Sequence, residues 1–249
     1  MIIDTHVYVG SSLAGYSYSV DELLNGMEKN NIDKCFLLPV MPYDYQLEEQ
    51  NQYVSNLVKE FPDEFIGFCR VDPRQKEKSV EIFKRSILDL SLMGLVLNPW
   101  EENFQINNPI VFPLIEEVLK LNVPVIIEAG YPWVSHATQI ADLCRRYPEL
   151  PVIMTHGGML NISGLAQPDA MAALMRCPNL FIDTAGVYRQ DFLEDVIETF
   201  GAERIVFGSH APVYSQDFEL KRVFSIKTGE EQREKILSTN ALSLFNKKG

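Results

Sequence analysis

The stretch "IIDTHVYVG" (residues 2–10) opens with β-branched apolar residues and then places Asp4, His6 and Tyr8 at alternate positions. Side chains alternate along a regular strand, so these three share one direction if the strand is regular. A single strand would then carry a carboxylate, an imidazole and a phenol on one face. What that face meets depends on the rest of the chain.

Seven further runs have the same apolar, β-rich make-up: "KCFLLPV" (34–40), "FIGFCRV" (65–71), "GLVLN" (94–98), "PVIIEA" (124–129), "LPVIMTH" (150–156), "LFIDTA" (180–185) and "RIVFGS" (204–209). Between them lie longer segments with apolar residues at helical spacing, from "SVDELLNGMEKN" (19–30) to "RQDFLEDVIETFG" (189–201), and "GEEQREKILSTNALSLF" (229–245) supplies the last helix. Ser19 and Ser135 are candidate helix caps. Strand and helix alternate without a linker-like gap, which predicts one (β/α)8 TIM barrel over residues 1–249, with a doubly wound open sheet as the alternative.

The composition, 46% hydrophobic and 22% charged, is that of a globular chain with a sizeable core. A formal charge of −12 argues against nucleic acid as a partner, because phosphate-backbone affinity needs clustered Lys and Arg. No apolar run approaches the roughly 20 residues that span a bilayer, and the N-terminus lacks the basic and apolar regions of a signal peptide. The expectation is a cytoplasmic protein with a small-molecule substrate and no membrane partner, a homo-oligomer being left open. Cys35, Cys69, Cys144 and Cys177 are scattered among apolar residues without a C-x-x-C pair, as buried free thiols would be.

In a (β/α)8 barrel the active site is built at the C-terminal ends of the strands. Those ends supply His6, Arg70, Asn98, Glu128, His156, Asp183 and His210. The chain has four histidines, and three of them fall here; the fourth, His136, lies at the start of a helix and reads as structural. Ile126 should share a direction with Glu128, and Met154 with His156. Arg70 and Arg74 could hold a substrate carboxylate or form salt bridges in the rim. Trp100, Tyr131 and Trp133 could form a stacking wall or pack as ordinary loop residues. Glu128 could instead pair with Arg70 or a buried hydroxyl, and His210 could hydrogen-bond its own turn.

"IIDTHVYVG", "VIMTHGG" (152–158), "RIVFGSHAP" (204–212) and "ILSTNALSLF" (236–245) together resemble landmarks of the amidohydrolase superfamily, in its amidohydrolase-2 branch of TIM-barrel metal-dependent hydrolases and decarboxylases. The resemblance implies an H-x-H on the first strand, histidines on the fifth and sixth, and an aspartate on the eighth. Here Tyr8 replaces the second histidine, Glu128 stands on the fifth strand and His210 replaces the aspartate. Imidazole and carboxylate have exchanged strands, so a divalent metal would be held by His6, Glu128 and His210. His156 would be a fourth ligand or a proton-transfer group. Zinc is the first choice, and manganese, iron and cobalt also suit these donors.

Asp183 would orient a neighbouring histidine and act with His156 in catalysis, while Tyr8, Arg70, Asn98 and Trp100 would face the substrate. The function so implied is a metal-dependent hydrolase that activates water against a small amide, lactone or ester. A related metal-dependent decarboxylase and a non-enzymatic binding barrel are the alternatives.

Overall fold

Each of the eight apolar runs becomes a strand in the structure, a computed structural model that describes residues 1–160 and 166–245. They are β1 (Ile3–Ser11), β2 (Lys34–Pro39), β3 (Phe65–Arg70), β4 (Gly94–Leu97), β5 (Val125–Ile127), β6 (Val152–Met154), β7 (Leu180–Asp183) and β8 (Ile205–Val206). They pair in parallel and in chain order. A two-residue strand, Ser17–Tyr18, adds antiparallel to the end of β1. The two outer members then meet: the Thr5 N–H donates to the Phe207 carbonyl at 2.9 Å, and the Tyr8 N–H to the Ala211 carbonyl at 2.9 Å. This closure makes a barrel of what would otherwise be an open sheet.

A helix follows each strand: α1 (Val20–Asn30), α2 (Leu47–Glu60), α3 (Glu77–Leu88), α4 (Phe112–Leu121), α5 (Ala137–Arg146), α6 (Ala166–Arg176), α7 (Gln190–Phe200) and α8 (Gln216–Ser225). Ser19 caps α1 reciprocally with Glu22. The cap of α5 is His136 and not Ser135; its ring accepts from the Thr138 N–H while Gln139 reaches back, so this histidine is structural. α8 went unpredicted because two of its four buried residues, Gln216 and Glu219, are polar and leave only Leu220 and Val223 as an apolar stripe. The closing segment is a series of short helical turns, Glu230–Glu234, Lys235–Thr239 and Asn240–Ser243. Among the described residues no helix is long and apolar enough to cross a membrane. All four cysteines are free and buried.

The two faces of the strands build two cores. Leu37, Cys69, Leu95, Leu97, Val125, Ile127 and Val152 pack outward under the helices. Phe36, Leu38, Phe68, Val96, Ile126, Ile153 and Val206 fill the barrel interior with Tyr8. Each large apolar side chain so buried contributes about 1.5–3 kcal/mol. Two residues beyond the interior set, the same face carries Arg70, Asn98 and Glu128 to the mouth. β1 breaks the rule: its register shifts between Asp4 and Val7. Asp4 therefore does not share the direction of His6 and Tyr8, contrary to the regular-strand expectation.

Candidate metal centre at the barrel mouth

His6, Glu128, His156 and His210 converge so that one ligand atom from each lies within 4.8 Å of the others. His6 Nε2 lies 2.7 Å from Glu128 Oε1, and the Tyr8 hydroxyl donates to the same oxygen at 2.7 Å. The other carboxylate oxygen, Oε2, accepts from the Thr155 hydroxyl at 3.2 Å and lies 3.3 Å from His156 Nε2. The His210 ring stacks on His6, with centroids 4.4 Å apart and planes 11° apart.

The orientation of each imidazole has an identifiable cause. Asp183 Oδ2 lies 2.7 Å from His6 Nδ1, which turns Nε2 toward the cluster. His156 Nδ1 donates to the Ala185 carbonyl at 3.0 Å, leaving Nε2 buried without a hydrogen-bond partner. His210 Nδ1 is likewise buried and unpartnered. At His156 an open nitrogen beside a carboxylate, with the opposite ring nitrogen held, is the donor arrangement a divalent cation takes, and the open nitrogen of His210 lies within reach of the same point. The residues present fit such an ion.

Met154 faces the outer core, whereas His156 enters the interior. The expected shared direction fails because His156 lies beyond β6 in the turn Thr155–Gly158, with φ 57°. His210 also has φ 57°.

Burial favours neutral groups, but charge prevails at two positions. Burial pulls the His6 imidazole down, yet Glu128 and Asp183 on either side raise it to about 10. Burial pushes Glu128 up, and the neighbouring His6, with His156 and His210, brings it well below the ordinary carboxylate value. His210 falls well below the usual imidazole value, first through burial and then through repulsion from His6 and His156. Burial and the Glu128 charge keep the Tyr8 phenol protonated, as its donor role requires.

The expected substrate contacts divide. Arg70 is fully buried, its Nε donating to Glu102 Oε1 at 2.7 Å and its Nη2 to Glu101 Oε2 at 2.5 Å. A third bond reaches the Pro39 carbonyl at 3.3 Å. The guanidinium is thus occupied by the rim salt bridge and does not pair with Glu128 or stand open to a substrate carboxylate. Asn98 accepts from the Glu101 N–H at 3.2 Å and shapes the turn after β4. Arg74 pairs with Asp72 at the surface. Trp100 stacks on Tyr131 with ring centroids 4.9 Å apart and planes 6° apart, while Trp133 stands 73% exposed.

Several residues at the mouth escaped the sequence reading. Thr155 and Tyr214 carry no charge, and only their neighbours mark them: Tyr214 presents its ring edge-on to His210 at 5.3 Å. A cavity of about 390 Å³ adjoins this tyrosine, lined also by Gly186, Tyr188, Val213 and Phe218. Gly208 is needed for close approach, since a Cβ there would lie 2.9 Å from His6 Cβ and 3.0 Å from Asp183 Oδ2. Glu102 is lifted by burial to about 7, with Arg70 only partly opposing, and its Oε2 has no partner.

A family model described as Amidohydrolase matches residues 45–247. The gamma-resorcylate decarboxylase of Rhizobium sp. is 24% identical over 235 residues, covering 76% of this chain and 72% of that protein. Among solved structures, a 2,6-dihydroxybenzoate decarboxylase from Rhizobium superposes with a TM-score of 0.78 at 20% identity over 98% of both chains. A dihydroxybenzoic acid decarboxylase from Polaromonas sp., with bound manganese and the inhibitor 2-nitroresorcinol, gives 0.76 at 17% identity over 98% of this chain and 96% of that one. At such identities the structural likeness speaks for the barrel alone, whereas the family match extends over most of the sequence. The chain belongs to the amidohydrolase family.

Proposed function

We propose that this chain is a metal-dependent, nonoxidative decarboxylase of a small hydroxylated aromatic acid. The observation that carries the reading is the convergence of His6, Glu128, His156 and His210 at the mouth of an amidohydrolase-family barrel. The related proteins described above are decarboxylases, so this alternative fits better than the hydrolase expected first. Tyr8, which stands where the resemblance implies a second histidine, supports the carboxylate of the cluster.

His6, Glu128 and His210 would hold the cation, with manganese replacing zinc as first choice because the Polaromonas enzyme binds it. When bound, the ion would hold substrate oxygens and stabilise the charge that builds as carbon dioxide leaves. The chain's own residues do the rest. Asp183 fixes the His6 ring, and Tyr8 and Thr155 hold Glu128. Loss of the carboxyl group breaks a carbon–carbon bond and requires a proton at the vacated ring carbon. His156, with Nε2 buried beside Glu128 Oε2, is the group we assign to deliver it; because Nδ1 donates to the Ala185 carbonyl, it does so as the doubly protonated ring, giving up the proton on Nε2. Trp100 and Tyr131 provide a flat aromatic wall against which a planar ring could lie.

The test is carbon dioxide release from a panel of mono- and dihydroxybenzoates by protein supplied with Mn²⁺. Turnover of an acid, lost on adding chelator, is the expected result. Hydrolysis of amide, lactone or ester probes without any decarboxylation would overturn the assignment.

A further inference from the structure

The left-handed backbone at His156 and at His210 is one that residues with a Cβ avoid. Something must hold each of them there. At His156 the holder is Asp183 on the neighbouring strand β7, whose Oδ1 accepts from the His156 N–H at 2.6 Å and the Ala185 N–H at 3.2 Å.

His210 has a counterpart on its other neighbour, β1. Asp4 Oδ1 accepts from the Ser209 N–H at 2.8 Å, and Asp4 Oδ2 from the Ser209 hydroxyl at 2.6 Å. That hydroxyl in turn accepts from the Ala211 N–H at 3.0 Å, so the residues on both sides of His210 are tied to one carboxylate. Gln216 Nε2 donates to Oδ2 at 3.1 Å, which anchors the start of α8 to the same point. The His6 N–H adds a bond to Oδ1 at 3.2 Å. Asp4 is wholly buried, and the β1 register shift directs it away from the imidazole cluster.

We propose that Asp4 is a positioning residue for the site: through Ser209 it holds the turn that keeps His210 left-handed, stacked on His6 and with Nδ1 turned inward. The donor count explains why an aspartate stands here. Four donors converge on its two oxygens, and an ionised carboxylate accepts from all of them. Asparagine would set its own N–H₂ against the donors of Ser209 or Gln216, and would leave a buried group unsatisfied. The matching use of Asp183 at His156 shows one device applied twice, once from each neighbouring strand. Ligand presentation is thereby built into the closure of the barrel between β8 and β1.

The chain's four histidines make the test tractable by selective ¹⁵N labelling. In metal-free protein, Asp4→Asn and Ser209→Ala are expected to shift or broaden the His210 ring signals while leaving those of the helix cap His136 in place. Ser209→Thr, which keeps the hydroxyl, should return the wild-type His210 signals. A second measurement rests on the metal-centre reading: Asp4→Asn should lose about 10–100-fold in Mn²⁺ affinity, with no further loss when combined with His210→Ala. Unmoved His210 signals in both variants would overturn the proposal, as would equal displacement of all four histidines, which would mark a general prop of the fold. If Asp4→Asn does not fold, the Ser209→Ala and Ser209→Thr pair decides alone. Absence of Mn²⁺ binding by the wild type would count against the metal reading, while the His210 signals would still decide the role of Asp4.

Discussion

The Tyr8 hydroxyl and His6 Nε2 meet on a single atom, Glu128 Oε1, each at 2.7 Å. The residue standing where the resemblance implies a second histidine is therefore a hydrogen-bond donor to the carboxylate that follows β5. A phenol at position 8 and a buried glutamate at position 128 form one arrangement, because a buried carboxylate needs donors.

Tyr8→Phe tests this dependence. Removing a donor from a buried charged acceptor should cost about 1–3 kcal/mol of stability. Mn²⁺ affinity should fall as well, since Glu128 gains freedom to rotate. Denaturant unfolding and metal titration of the same variant check both effects; unchanged values in both would mean that Tyr8 merely fills space.

The proposed roles of His6 in ligation and His156 in proton transfer are separable by substitution. His6→Ala should abolish stoichiometric metal while the barrel stays folded, because the interior plug of Phe36, Phe68, Val96 and Ile126 lies deeper. His156→Asn should lower turnover by about 10²–10⁴-fold with metal retained. Metal analysis beside a decarboxylation assay distinguishes the two; parallel loss of metal and turnover in His156→Asn would make it a ligand.

Gly208→Ala places a methyl group against both His6 and Asp183. Overpacking of this kind costs about 1–3 kcal/mol. The damage should concentrate on the His6–Asp183 bond, so metal affinity should fall more than for an alanine placed at a comparably tight core position elsewhere. Calorimetric titration of the two variants makes the comparison.

Glu102 supplies a pH signature away from the cluster. Burial, partly opposed by Arg70, lifts it from an ordinary value of 4.5 to about 7, so the folded state holds a proton that the unfolded chain has released. Its contribution to stability is fully present below about 4.5 and is lost as pH rises through about 7. Glu102→Gln should flatten that part of the profile of melting temperature against pH. A wild-type slope retained in the variant would assign the dependence to another group.

The barrel was legible because eight short apolar, β-rich runs alternate with longer segments at helical spacing, and such patterning is a local property of the chain. The alternation of side-chain direction along a strand carried Glu128 into the mouth two residues beyond Ile126. It failed at His156, where the strand had already ended in a left-handed turn, and at Asp4, where the β1 register shifts. α8 was missed because its buried face includes Gln216 and Glu219, whose polarity reads as surface until Asp4, Arg222 and the Gly186 N–H are seen to satisfy them.

The sequence by itself determined which residues end the strands, and so which chemistry could reach the mouth: three imidazoles, a glutamate, an aspartate, an arginine and an asparagine. Only the tertiary structure decided how they divide the work. Arg70, the cation open to several uses in one dimension, is neutralised by Glu101 and Glu102 from the turn after β4. Asp183 turns to His6 across the barrel, and Asp4 to Ser209 across its closing seam. The last two pairings join residues more than a hundred positions apart, and the energies of all of them depend on distance and burial, which the curvature of the closed sheet sets and no local pattern encodes.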